Sequence, residues 1–168
     1  MTSRSLFTLT LLSALGCGLI GGVFFAFSTF VMKALASLPH TQGIAAMKSI
    51  NFAVLNPLFL GTFLGTAVGC VILAVSSLVM WQRPGAAWAL AGSILYLLGT
   101  FLVTAICNVP RNEALAILDP ASAESARVWA EYVRTWTVWN HVRTIAALGA
   151  SLLLMLALWF SSAQGMVR

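Results

Sequence analysis

The sequence predicts an all-α, polytopic membrane protein: a four-transmembrane-helix bundle with an amphipathic helix between segments three and four. Two observations carry this. Residues 5–32, 49–82, 84–110 and 144–167 contain no Asp, Glu, Lys or Arg, and each run exceeds the roughly 20 residues that cross a hydrocarbon core about 30 Å thick. The composition is 60% hydrophobic and 8% charged, against about 25% charged in soluble domains. Lipid offers the backbone no hydrogen-bond partners, so continuous runs rich in Leu, Ala, Val and Phe are read as helices rather than barrel strands. The length of 168 residues holds four crossings and their connections, and residues 1–168 are read as a single transmembrane domain.

The first run follows Arg4 and contains Ala14-Leu15-Gly16-Cys17, which loosely resembles a lipoprotein cleavage site. The apolar stretch continues through Phe24-Phe25-Ala26-Phe27 to Met32, too long for a secretory core of about 7–15 residues, and is taken as the first crossing. The second run exceeds one crossing. It divides into a short interfacial helix over 44–54, a break at Asn56-Pro57, where the residue before proline disfavours helix, and a span over 58–80. Gly61, Gly65 and Gly69 recur at every fourth position of that span, and Gly18 and Gly22 offer a matching face on the first; such stripes predict close helix packing, internally or in a homo-oligomer. Trp81-Gln82-Arg83-Pro84-Gly85 reads as a tight turn with an interfacial tryptophan. The third span is expected over 87–108, with Thr100, Thr104 and Asn108 in one stripe that should face protein.

Residues 111–143 hold eight of the thirteen charged side chains and all four acidic ones. Asp119-Pro120 is read as a helix start. Glu124, Arg127, Glu131 and Arg134 then alternate in sign at three- and four-residue steps, opposite an aromatic face of Trp129, Tyr132 and Trp136. Four crossings bring the first and third connections to the same side. That side gathers Lys33, His40, Asn51, Asn56, Asn108, Arg111, Asn112, Asn140, His141 and Arg143; the other has only Arg4, Arg83 and Arg168.

Polar groups at or below the interface tend to face the bundle interior or a cavity, so the cluster is read as a pocket at one end. A plain structural role competes with it: arginines snorkel, asparagines cap helices and tryptophans anchor headgroups. At about 100° per residue, Trp129, Tyr132, Trp136, Asn140 and Arg143 share one broad face while His141 lies on a flank, so His141 and Arg143 cannot both point into one cavity. If chemistry occurs here, His141 suits proton transfer and Arg143 suits holding an anion. His40 and His141 form no metal signature. Cys17, Cys70 and Cys107 form no C-x-x-C pair and read as buried thiols. A net charge of +5 without a soluble basic domain points to anionic membrane lipid and not to nucleic acid.

The residues so assembled resemble the anthrone-oxygenase-like integral membrane family. The resemblance rests on the run from Gly21 through Phe24 and Phe27 to Ser28, on Met47-Lys48-Ser49-Ile50-Asn51 with Asn56, on Asn108-Val109-Pro110-Arg111-Asn112, and on the run from Trp136 through Asn140-His141-Val142-Arg143 to Thr144. It implies a four-helix membrane fold and oxidation of a lipophilic aromatic anthrone by dioxygen with no metal, flavin or other cofactor. An anthrone needs a base, donors for its enolate oxygen and an apolar slot. His141 and Asn140 are the expected catalytic residues, with Asn56, Asn108, Arg111, Asn112, Trp136 and Arg143 binding substrate. Two alternatives use the same architecture: a non-catalytic protein that binds or transports a lipophilic ligand, and an accessory subunit docked through its glycine face. The expected location is the cell (inner) membrane, and six Lys or Arg on the pocket side against three opposite favour a cytoplasmic pocket.

Overall fold

The computed structural model describes residues 3–163. Arg168 and the last four residues of the fourth uncharged run lie outside them. The first span comprises α1 (Ser3–Ala26), a π-helical turn (Phe27–Val31) and α2 (Met32–Ala36). An interfacial helix α3 (His40–Ala53) follows, then α4 (Pro57–Val79). The third span runs from α5 (Ala86–Tyr96) through π-helical turns at Leu97–Leu102 and Thr104–Asn108 into α6 (Val109–Ile117), and α7 (Ser125–Ala163) is the fourth. Four helical stretches are thus long and apolar enough to cross a membrane. This is a membrane-spanning four-helix bundle.

α1 packs on α4 and α7, and α5 packs on the same two helices, so the spans form a ring in which every neighbour is antiparallel. Backbones come close where a side chain is missing. A Cβ on Gly16 would overlap the Thr66 hydroxyl, one on Gly69 would lie 2.5 Å from Ser13 Oγ, and one on Gly92 would lie 3.1 Å from the Ala150 carbonyl. As a contact within the chain, the expected seam along Gly61, Gly65 and Gly69 is therefore corrected. Residues four apart creep about 40° per step around an α-helix; Gly69 reaches α1, whereas nothing lies within 4 Å of a Cβ on Gly61, Gly65 or Gly22.

The break at Asn56-Pro57 forms as its chemistry requires. Asn56 Oδ1 accepts from the Phe59 amide at 2.9 Å, capping α4, and Pro57 takes the first position, where no amide is needed. The third span passes through Pro110 instead of ending there. Proline removes one amide and crowds the carbonyl four residues back, and the π-helical turn at Thr104–Asn108 immediately precedes it. Asp119-Pro120 is not a helix start: Asp119 Oδ1 accepts from the Ala121 amide at 2.9 Å in a side-chain-closed turn, and α7 begins at Ser125.

The amphipathic segment and the fourth crossing are one helix of 39 residues. At about 1.5 Å per residue it is roughly 58 Å long, well beyond a hydrocarbon core, so its first half stands out from the bundle. There it joins α2, α3 and α6 around a second small core of Met32, Leu35, Ile44, Met47, Leu115, Trp129 and Tyr132. This core roofs one end of the bundle.

Candidate functional site

Beneath that roof lies a cavity of about 630 Å³ bounded by α1, α3, α4, α6 and α7. Such a volume falls within the roughly 300–1,000 Å³ of small-molecule pockets. Phe24, Phe27, Phe59, Phe63 and Trp136 supply aromatic walls, and Lys48, Asn51, Thr104, Asn112, Glu113 and Arg143 supply the polar groups. The exposed lining residues include Phe52 at 83% and Leu55 at 63%. They lie on the end of α3 and the connection to α4, where the cavity opens beside an apolar rim.

Arg143 is the centre of the polar wall. It is only 4% exposed, and its guanidinium carbon stands 4.1 Å from the Phe24 ring centroid and 5.1 Å from that of Trp136. Nη2 donates to Asn140 Oδ1 at 2.6 Å and Nη1 to Thr104 Oγ1 at 3.3 Å. Its buried Nε has no acceptor. No carboxylate pairs with it: the ion pairs among the described residues are Arg127 with Glu124 and Arg134 with Glu131, both exposed. A guanidinium taken out of water costs several kcal/mol unless it is compensated. Here two aromatic faces and two neutral acceptors compensate it in part, and N–H bonds are left over.

Asn140 orients that cation. Its amide nitrogen donates to the Phe24 carbonyl and to Ser28 Oγ, both at 2.7 Å, which leaves Oδ1 free to face Arg143. Ser28 lies 3.1 Å from Thr144 Oγ1, which donates to the Asn140 carbonyl at 2.8 Å. The Ser28 position falls in the π-helical turn of the first span, and Thr104 falls in that of the third. The bundle therefore departs from α geometry on both sides of Arg143, and π turns recur at functional sites.

Asn112 fixes the aromatic wall. Its Oδ1 accepts from Trp136 Nε1 at 2.8 Å and Tyr132 OH at 2.9 Å, and Trp129, Tyr132 and Trp136 stack successively along α7. Lys48 donates to the Leu118 carbonyl at 2.6 Å, tying α3 to the end of α6. Asn108 is buried behind the wall: Nδ2 donates to the Trp136 carbonyl at 3.3 Å and Oδ1 has no donor.

The structure thus brings together Asn112, Trp136, Asn140 and Arg143, with Asn108 packed behind them. It does not bring His141 to the cavity. The imidazole is exposed on the outer side of α7, one residue and about 100° from Asn140. Asn56 is an exposed helix cap. Arg111 is held outside the cavity by the Thr135 hydroxyl at 3.2 Å and by the Cys107 carbonyl. Sequence reasoning omitted Phe24, Phe27, Ser28, Thr104, Lys48 and Glu113 from the site. Thr104 was marked by its stripe with Thr100 and Asn108; nothing local marks Glu113, which reaches the cavity only because α6 continues past Pro110.

Fold and site together define a polytopic membrane protein with a lipophilic, aromatic-walled cavity holding one buried, unpaired arginine. Residues 58–153 match the family model described as Anthrone oxygenase, more than half of the chain, and the protein belongs to that family. No curated protein and no solved structure matches the chain.

Proposed function

We propose that the protein oxidises a polycyclic, membrane-soluble aromatic ketone of the anthrone class with dioxygen, in the cavity under Arg143. The observation that carries this reading is the buried Arg143 guanidinium, without a carboxylate and aimed into an apolar, aromatic-walled space. A cation so placed stabilises charge that develops on a ligand oxygen, because the low-dielectric surroundings strengthen the interaction and no water must reorganise. The family match supports the substrate class.

Binding sets the ketone oxygen against the free N–H bonds of Arg143, with the rings against Phe24, Phe63 and Trp136. A proton leaves the benzylic CH2 as its electron pair moves into the ring system, and the resulting enolate oxygen is held by the guanidinium. Glu113 is the carboxylate that lines the cavity, and it accepts this proton in place of the expected His141. The electron-rich carbon reduces dioxygen and bonds to it. The peroxide so formed takes back the proton held by Glu113; loss of the second benzylic proton with cleavage of the O–O bond then leaves a carbonyl and expels hydroxide, which takes up that second proton and departs as water. One oxygen atom enters the quinone and the other the water, so the four-electron oxidation of CH2 to C=O balances the four-electron reduction of O2. We place the protein in the cell membrane, where such substrates partition.

The test follows quinone formation and oxygen uptake by purified protein across a panel of anthrones, corrected for spontaneous oxidation. Glu113→Gln should lower turnover by about 10²-fold or more, the usual worth of a general base, and His141→Gln should leave it within threefold. Wild-type rates equal to the protein-free rate on every anthrone would refute the oxidase reading.

A further inference from the structure

The opposite end of the bundle holds a second cavity, of about 590 Å³, on which all four spans converge. It shares no lining residue with the first. Its mouth carries Arg4 at the start of α1 and Arg83 in the turn between α4 and α5, and its wall carries the Thr8 and Ser77 hydroxyls. Deeper in, Leu73, Ala89 and Ala157 make it apolar. All four acidic side chains of the chain fall between residues 113 and 131, at the other end. Neither arginine has an ion pair among the described residues.

The Arg83 turn is held in place. Gly85 has φ +83°, a left-handed conformation that other residues rarely adopt, and a Cβ there would overlap the Ala157 carbonyl. Ser161 Oγ donates to the Pro84 carbonyl at 2.8 Å, pinning the turn to α7. The turn amides are also closed, Arg83 N to the Met80 carbonyl at 2.9 Å and Ala86 N to the Arg83 carbonyl at 3.1 Å. Three constraints therefore hold the backbone that carries Arg83 at the edge of the cavity, which Arg4 lines from another span.

We infer that this cavity binds a phosphate-bearing anion, with the phosphate between Arg4 and Arg83 and hydrogen-bonded by the hydroxyl wall. Two cations with no acidic partner among the described residues, backed by hydroxyls and then by small apolar side chains, fit an anionic headgroup followed by hydrocarbon. Guanidinium groups bind phosphate through paired N–H bonds at short distance. A lipid headgroup and free phosphate share this chemistry, and the experiment separates them.

Full-length protein purified in a neutral detergent is melted with phosphatidylglycerol, with phosphatidylcholine, and with inorganic phosphate, and retained lipid is counted by native mass spectrometry. Phosphatidylglycerol should raise the melting temperature and remain bound where phosphatidylcholine does not. Arg4→Gln/Arg83→Gln should lose that preference by roughly tenfold or more, the scale of one charge-assisted hydrogen bond, and Arg83→Lys should restore part of it. Arg127→Gln, an exposed charge at the far end, should leave it unchanged. Stabilisation by inorganic phosphate alone, lost in the double variant, would support the same site with a free anion as occupant. Equal responses to all three additives, or a preference that survives in the double variant, would overturn the inference.

Discussion

Replacing Arg143 by Met separates the two roles a buried cation can play. Methionine keeps much of the length and apolar contact with Phe24 and Trp136 but removes the charge. In the free protein the change leaves Asn140 Oδ1 without the donor it has at 2.6 Å, at a cost of about 1–3 kcal/mol. Two cation–π contacts worth about 0.5–2 kcal/mol each also go. Against this stands relief of several kcal/mol from a desolvated charge with no counter-ion. The terms oppose one another, and folding stability should move by no more than about 2 kcal/mol. Catalysis has no such compensation. Two N–H bonds to an enolate oxygen, at about 1.5–3 kcal/mol each, amount to about 3–6 kcal/mol, or roughly 10²- to 10⁴-fold in rate.

The assay is anthrone turnover by purified Arg143→Met, normalised to folded protein, beside a thermal melt. Thr104→Asp provides the companion variant: it places a carboxylate where Thr104 Oγ1 now accepts from Arg143 at 3.3 Å, neutralising the cation without deleting it. It should match Arg143→Met in lost turnover while raising the melting temperature. Turnover within threefold of wild type in both variants would refute an anion-holding role. Failure of Arg143→Met to fold while Thr104→Asp stays active would make the guanidinium a structural pin.

Three further expectations follow from the packing. Gly16→Ala should destabilise the bundle by about 1–3 kcal/mol, because its Cβ meets Thr66, whereas Gly65→Ala, which meets nothing, should melt within about 0.5 kcal/mol of wild type. Asn112→Leu strips the shared acceptor from Trp136 Nε1 and Tyr132 OH and should cost about 2–5 kcal/mol, read by chemical denaturation and by altered tryptophan fluorescence. Cysteines introduced at Arg83 and Ser162 should react with an impermeant maleimide from one side of sealed vesicles and one at Ser122 from the other; labelling of Ser162 and Ser122 from the same side would break the four-crossing topology.

The spans were legible because charge is excluded from lipid so strongly that its absence writes each crossing into the sequence. Helix phase was nearly as plain. Trp129, Tyr132, Trp136, Asn140 and Arg143 were expected on one face of the last helix, and all five are buried while His141 is exposed. Partner choice was not legible. The glycine repeat on α4 reads as one stripe at four-residue spacing, but the drift of an α-helix and the placement of α1 leave only Gly69 of the three in contact with another helix of the same chain. Asp119-Pro120 misled because its local preference for a helix start gave way to a side-chain-closed turn, and the third span, expected to Asn108, runs on through a π-helical turn and past Pro110.

The base illustrates where one-dimensional reasoning stops. His141 was chosen because imidazole suits proton transfer, although at about 100° per residue it was already expected on a flank of the face that carries Arg143. Whatever shares a cavity with Arg143 must come from the same helical face or from another element. Glu113 satisfies that condition from α6, 30 residues earlier in the chain, as Thr104 and Phe24 do from the third and first spans. The direction of Arg143 is written in one helix, but the surroundings that would make its charge useful are written in four. An unpaired arginine 4% exposed within a membrane bundle is costly to keep, and the ligand oxygen that would complete its hydrogen bonds gives a physical reason for its presence.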